Sequence, residues 1–181
     1  MYFTEQALAD LAAGYEAINA THDALYERYL TRPYITERGK EFGQQGFTRR
    51  LGSLLRCIKN VYTRIPPERE EAPDDDTRHD AELQVQAFVF HTFGAADNLA
   101  WIWVSEKNVT HNGAPLSQGS IGIRKEKVRA SFSPEFRAYL NERKPWFEYL
   151  EGFRHALAHR MARRLSREAL VPNAAPREPT F

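Results

Sequence analysis

Arg154, His155 and His159 have side-chain types and a spacing that could do chemistry together. A histidine titrates near neutrality and can give or take a proton, while a guanidinium presents a planar fork of donors that fits a phosphate bidentately. Metal-free cleavage of a ribose phosphodiester needs a base for the 2′-hydroxyl proton, an acid for the leaving oxygen and a cation for the crowded phosphate charge. These side chains can supply all three. Arg160, Arg163, Arg164 and Arg167 follow closely and are suited to binding flanking phosphates.

The element that must position them is a helix over 146–164. At about 100° per residue, Trp146, Leu150, Phe153 and Leu157 form one apolar face with Tyr149 beside it, which predicts the core side. Arg154 then falls about 80° to one side of Trp146 and His159 about 140° to the other, with His155 near their midpoint. That polar face is expected to look to solvent or to a partner. Pro145 suits the first helical turn, Glu148 and Glu151 favour the positive end of the helix dipole, and the arginines after 159 favour the negative end.

The run Arg154-His155-Ala156-Leu157-Ala158-His159 fits the pattern of an arginine followed after four to six residues by a histidine, and in this it resembles the HEPN superfamily. Members are small α-helical bundles, commonly dimeric and often metal-independent ribonucleases, and a polar residue tends to follow the arginine, as His155 does here. The resemblance implies that Arg154 and His159 are a catalytic pair supported by His155, that products carry cyclic phosphate ends, and that no cofactor is needed. It also implies a homodimer, with a cognate antitoxin or regulatory protein as a further partner. A separation of about 140° on one helix does not bring Arg154 and His159 onto one phosphate. Two such helices meeting through their outer faces would pool two Arg/His pairs in one cleft.

Length and composition set the frame. The chain has 181 residues, enough for one well-buried domain and short for two. With 25 basic and 24 acidic residues the formal net charge is +1, so contact with nucleic acid must come from local clustering. The single cysteine, Cys57, excludes an intrachain disulfide or a Cys-rich zinc site and fits a reducing compartment. No charged n-region with an apolar h-region opens the sequence, which predicts a cytoplasmic protein. Walker, dinucleotide-binding and Ser/His/Asp patterns with supporting context are absent.

Taken in order, a first helix is predicted from about Thr4 to Leu30, with Leu8, Leu11, Tyr15, Ile18, His22, Leu25 and Tyr29 along one seam and Pro33 ending it. A second is predicted from about Lys40 to Arg64, burying Phe47, Leu51, Leu54, Ile58, Val61 and Ile65 and showing Arg49, Arg50, Arg56 and Lys59 outside. Gly43, Gly46 and Gly52 weaken its first half. After Pro66-Pro67 and an acidic loop, Asp74, Asp75, Asp76, His79 and Asp80 match no metal-binding spacing and instead suit a helix N-terminus, so no metal site is expected.

The third helix, from about Thr77 to Glu106, contains Ala87 to Val104, hydrophobic nearly all round. His91, Asp97 and Asn98 argue against membrane insertion, since each would need a partner in lipid. A central helix buried by its neighbours is expected instead. Buried polar groups demand partners. Asp97 or Asn98 is therefore expected to orient Arg154 or a nearby histidine, or else to bond to backbone or tryptophan N–H groups within the core.

Helical periodicity is lost from Lys107 to Phe132, where Asn112-Gly113, Pro115, Gly119 and Gly122 mark turns and Ile121 to Val128 suits a short hairpin or ordered loop. Arg124, Lys125, Lys127 and Arg129 would make it an RNA-facing flap. Ser133-Pro134-Glu135 opens another helix to about Arg143. The reading is all-α: an up-and-down helical bundle of four to five helices with one long irregular loop, a single domain over 1–167 and an extended or disordered tail over 168–181. Two functions fit it: a metal-independent endoribonuclease at a homodimer cleft, or a non-catalytic helical module whose Arg/His face binds protein, RNA or nucleotide.

Overall fold

A computed structural model of the chain describes residues 3–158. His159, Arg160, Arg163, Arg164 and Arg167, the domain limit at 167 and the tail over 168–181 all lie outside the described residues. Within them the protein is an all-α helical bundle. Its helices are α1 (Glu5–Thr31), α2 (Glu37–Lys40), α3 (Thr48–Arg64), α4 (Asp75–Glu106), α5 (Glu126–Arg129), α6 (Pro134–Glu142) and α7 (Lys144–Ala158).

Helices α1, α4 and α6 begin where local chemistry caps them. The Thr4 hydroxyl accepts from the Ala7 N–H, and Ser133 does the same for Phe136 with Pro134 in the first turn. One carboxylate oxygen of Asp74 accepts from the Thr77 N–H and the other from its hydroxyl, both at 2.8 Å. Asp75 and Asp76 complete an acidic first turn, and Asp80 pairs with Arg64 across to α3. The acidic stretch thus serves a helix start. Among the described residues no cluster of His, Cys, Asp or Glu has a metal-holding arrangement.

Between α2 and α3 the chain does not break but widens into a π-helical segment, Glu41–Phe47. Gly43 and Gly46 lower its preference for tighter α winding, and both sit where neighbours come close. A Cβ on Gly46 would stand 2.8 Å from Asn98 Nδ2, so this glycine lets α4 approach the segment. The sequence signalled a weak first half here but not its π geometry.

Helix α4 is shared by two cores. One joins its Ala100 and Val104 to Ile121, Val128, Phe132 and Leu140. The other joins Ala95 and Ile102 to Phe47, with Tyr29, Tyr34, Phe42, Leu51, Leu54 and Leu99 packed around them. It is the central helix expected, but one stripe stays open: Phe90 is 63% exposed and Leu83 also faces water, because no described element covers that stripe. No described helix is long and apolar enough to cross a membrane. Helix α1 rests on α3 and on the π-helical segment, where Tyr29 meets Phe47, but buries no residue fully, and Leu11 of its seam is exposed.

The irregular stretch is anchored. The hairpin forms earlier than expected, pairing Thr110 with Pro115 and His111 with Ala114, because Asn112 and Gly113 both adopt positive φ, of 53° and 77°, as a tight two-residue connection requires. Over 121–128 the ordered loop is found and not the hairpin: a turn leads into α5, with Ile121, Val128 and Phe132 buried. Arg124 is tied to Glu151 at 2.7 Å and Arg129 to Asn141 at 2.5 Å. The stretch is therefore held to the bundle and is not a free flap.

Glu106 closes the fold across a long sequence separation. At the end of α4 its carboxylate accepts from the N–H groups of Ile35 and Thr36 at 2.9 and 3.0 Å and from the Thr36 hydroxyl at 2.9 Å. Thr36 in turn caps α2 by accepting from the Gly39 N–H. Burial pushes the Glu106 pKa up, but these donors and nearby Arg32 outweigh it and hold the carboxyl below the ordinary glutamate value of 4.5. Such a group adds stability above its unfolded pKa and loses it as pH falls through the folded one. Glu106→Gln should lower stability by about 2 kcal/mol at pH 7, the scale of charged hydrogen bonds, and flatten the acid limb of the urea-unfolding stability profile. An unchanged profile would show that the carboxylate is dispensable.

Candidate functional site

The site-bearing face is where α3, α4 and α7 meet. Helix α7 seats through Leu150, which is buried, and Phe147, which packs on the core beside it. The expected stripe is met at Leu150 and departs at its N-terminal end, where Phe147 takes the place expected for Trp146. Trp146 is 47% and Tyr149 56% exposed; Phe153 is half-buried, and the Leu157 side chain lies outside what is described. The helix is rotated because the Phe147–Leu150 edge meets the core, and Glu151 turns in to take the Arg124 guanidinium.

This rotation moves Arg154 from the expected outer face to the margin of α4. Its guanidinium carbon lies 4.6 Å from the Phe93 ring centroid, a cation–π contact. One of its nitrogens is 3.8 Å from a Glu151 oxygen, and the side chain remains 48% exposed. It is thus held in place while keeping donors open to water. His155 is on an exposed part of the helix and contributes to the positive field that lowers the Glu151 pKa, an effect due first to the Arg124 hydrogen bond.

Two of the polar residues named on α4, His91 and Asp97, join the site face, with one from α3, Arg50, that the sequence placed outside. Arg50 turns inward because Gly94 leaves room: a Cβ there would overlap its guanidinium. Arg50 Nη1 lies 3.4 Å from His91 Nδ1, and its guanidinium carbon lies 5.5 Å from the Phe90 ring centroid. Arginine can only donate, so Nδ1 accepts and the His91 proton sits on Nε2. Burial first, then the charges of Arg50 and Arg49, depress the His91 pKa. The imidazole is neutral near pH 7.

Asp97 stands exposed at the rim of the junction. No described group donates a hydrogen bond to it, but it lies in the field of Arg154, Arg50 and Lys125. A Cβ on Gly122 would stand 3.3 Å from its Oδ1, so that glycine lets the anchored stretch bring Lys125 alongside. Burial raises the Asp97 pKa above the ordinary 3.8 and outweighs the attraction of the three cations, Arg154 first. The expected bond from Asp97 to Arg154 is not made among the described residues, and the two interact only through their charges.

Asn98 takes a different place. It is 8% exposed, it faces Gly46, and its Nδ2 finds no partner. It belongs to the helix interface and is not joined to Arg154. Among the sequence-named residues, the fold brings Arg154, His91 and Asp97 to one junction and sets Asn98 inside the bundle. The sequence pattern puts Arg50 in an outer basic cluster, although its position three residues after Phe47 and four before Leu54 places it beside the buried stripe.

Leu83, Gln86, Ala87, Phe90, His91 and Arg154 line an open groove of about 500 Å³ along α4. Cationic, aromatic and amide groups gather there in a chain of nearly balanced charge. Such a surface can bind an anion that carries a flat apolar part.

Because Asp97 is held partly out of water, its ionisation opposes folding as pH rises from its ordinary value through the raised one. Asp97→Asn should therefore raise the thermal unfolding midpoint at pH 7, with the gain vanishing near pH 3. A lower midpoint at pH 7 would mean that attraction to the cations outweighs burial. No family model, curated protein or solved structure matches this chain.

Proposed function

We propose that this protein is a metal-independent endoribonuclease of the HEPN type that cleaves RNA through a 2′,3′-cyclic phosphate. In this reading His159 exchanges protons with the ribose 2′-hydroxyl and the leaving oxygen, Arg154 binds the phosphate, and His155 supports them. The observation that carries it is the setting of Arg154: fixed against the Phe93 ring, half-exposed, and lining an open groove with His91, which Arg50 contacts. An anchored cation loses little side-chain freedom when it takes a phosphate, and local positive potential favours the charge that builds up in the transition state. The spacing of Arg154 and His159 calls for a homodimer in which paired helices pool their groups, with Arg160, Arg163, Arg164 and Arg167 binding flanking phosphates. A cognate antitoxin or regulatory protein would act by covering that cleft.

A specific contact favours a second reading, a non-catalytic binding module. Arg154 shares Glu151 with Arg124, and an arginine held only to brace α7 would need no substrate. The two readings separate in one assay. Purified protein is incubated with a mixed RNA pool in EDTA beside Arg154→Ala and His159→Ala variants confirmed to be folded. Cleavage by the parent alone, leaving cyclic phosphate ends and falling by at least about 100-fold in either variant, the scale of lost acid–base catalysis, is the expected result. No cleavage by the parent in a pool containing structured and unstructured RNA would favour the module.

A further inference from the structure

We propose that the α4 groove is a binding platform for unpaired RNA, with Phe90 stacking on one base, Gln86 reading that base's edge and Arg154 holding the adjoining phosphate. The inference deepens the ribonuclease reading by naming single strands as the substrate class. It rests on the site proposed there but is tested separately from cleavage.

The arrangement comes from the phase of α4. Leu83, Gln86, Ala87 and Phe90 recur at three- and four-residue steps, so they lie along one stripe. This is the side of the helix that no described element covers, and Phe90 is 63% exposed on it. A lone exposed phenylalanine needs no explanation. This one is flanked by cations: the Arg50 guanidinium lies 5.5 Å from its centroid, and Arg154 lines the same groove. His91 is neutral, and since its Nδ1 accepts from Arg50, its Nε2–H is the ring donor left for a ligand. The exposed Gln86 amide has both a donor and an acceptor end, as the edge of a base requires.

Aromatic surface beside arginine donors is how proteins bind single strands: the ring takes a base face and the cations follow the backbone. A base stacked within a duplex shows neither face, so the platform selects unpaired nucleotides. The cations also decide against an apolar helix as the occupant. Among the described residues Arg50, Arg154 and Lys125 act on Asp97, and the other carboxylate beside Arg154, Glu151, is already paired with Arg124 at 2.7 Å, so cations remain in excess and a polyanion complements that balance.

The test separates binding from cleavage by using a fluorescent eight-nucleotide strand with 2′-O-methyl groups, which cannot form a cyclic phosphate. Fluorescence anisotropy of the full chain should show binding to this strand and not to its duplex. Phe90→Ala should weaken binding about tenfold, within the range expected for one lost base stack, whereas Phe90→Trp should restore it. Gln86→Ala should narrow the difference in affinity between adenine and uracil strands. Arg154→Ala should reduce the salt slope by about 0.7, as one lost phosphate contact on a single strand predicts. An unchanged thermal midpoint for Phe90→Ala confirms that the fold is intact, as its exposure implies.

Failure of the parent to bind the strand overturns the platform, as does a Phe90→Ala variant that binds like the parent. Conversion of a dimer to monomers by Phe90→Ala with RNA affinity unchanged also overturns it, and assigns the stripe to a contact between copies. Phe90-dependent binding without cleavage of unmodified RNA would uphold the platform and reject the ribonuclease. Cleavage with binding indifferent to Phe90 would do the reverse.

Discussion

The architecture depends on one constraint: α4 must pass between two apolar cores while carrying His91, Asp97 and Asn98. A polar group moved from water into a core costs about 1 to 3 kcal/mol if left unpaired, and these residues meet that cost in different ways. His91 gains a donor from Arg50, Asp97 remains at the rim near three cations, and Asn98 is enclosed with its Nδ2 unpaired. The helix tolerates them because glycines let its neighbours come close. Gly94 admits the Arg50 guanidinium, and Gly46 admits Asn98 at the π-helical segment. Without those two missing side chains the helices would separate and the site face would not assemble.

Helix limits were legible because they are set locally. Thr4, Asp74 and Ser133 cap α1, α4 and α6 as their types predict, and Pro33 and Pro66 fall where helices stop. What could not be read was phase. Trp146 and Phe147 are adjacent and both apolar, so periodicity alone permits either to point inward. Phe147 does so because Leu150 and the Arg124–Glu151 pair fix that edge against the core, and that pair joins residues from different elements. The π segment was hidden for a similar reason, since its glycines announce weak helix but not the neighbour that uses the space. For the hairpin, Asn112-Gly113 was the stronger local signal, and it prevailed over the β-branched residues after Ile121.

The site was legible in its residues more than in its partners. Arg154, His91 and Asp97 stand out by type in otherwise apolar helices, and the fold brings them to one junction. Arg50 did not stand out because it belongs to a run of surface cations in sequence, and only Gly94 on another helix gives it an inward place. The near-zero net charge hid the local imbalance in the same way. Charge averages along the chain, whereas a ligand meets the charge of one face.

Two demands on Arg154 pull against each other. Contacts with Phe93 and Glu151 limit its motion, which favours recognition because less side-chain freedom remains to be lost on binding. The same contacts occupy part of its capacity, and a carboxylate competes with any incoming phosphate. Glu151 is a weak competitor here, since its short bond at 2.7 Å goes to Arg124 and it stands 3.8 Å from Arg154. Phe93 meets the charge of the guanidinium without using any N–H in a hydrogen bond. Arg154 is therefore held chiefly by a ring that leaves its donors available, and the carboxylate nearest to it is already satisfied elsewhere. That division of labour suits an arginine that receives a phosphate better than one that serves only to brace a helix.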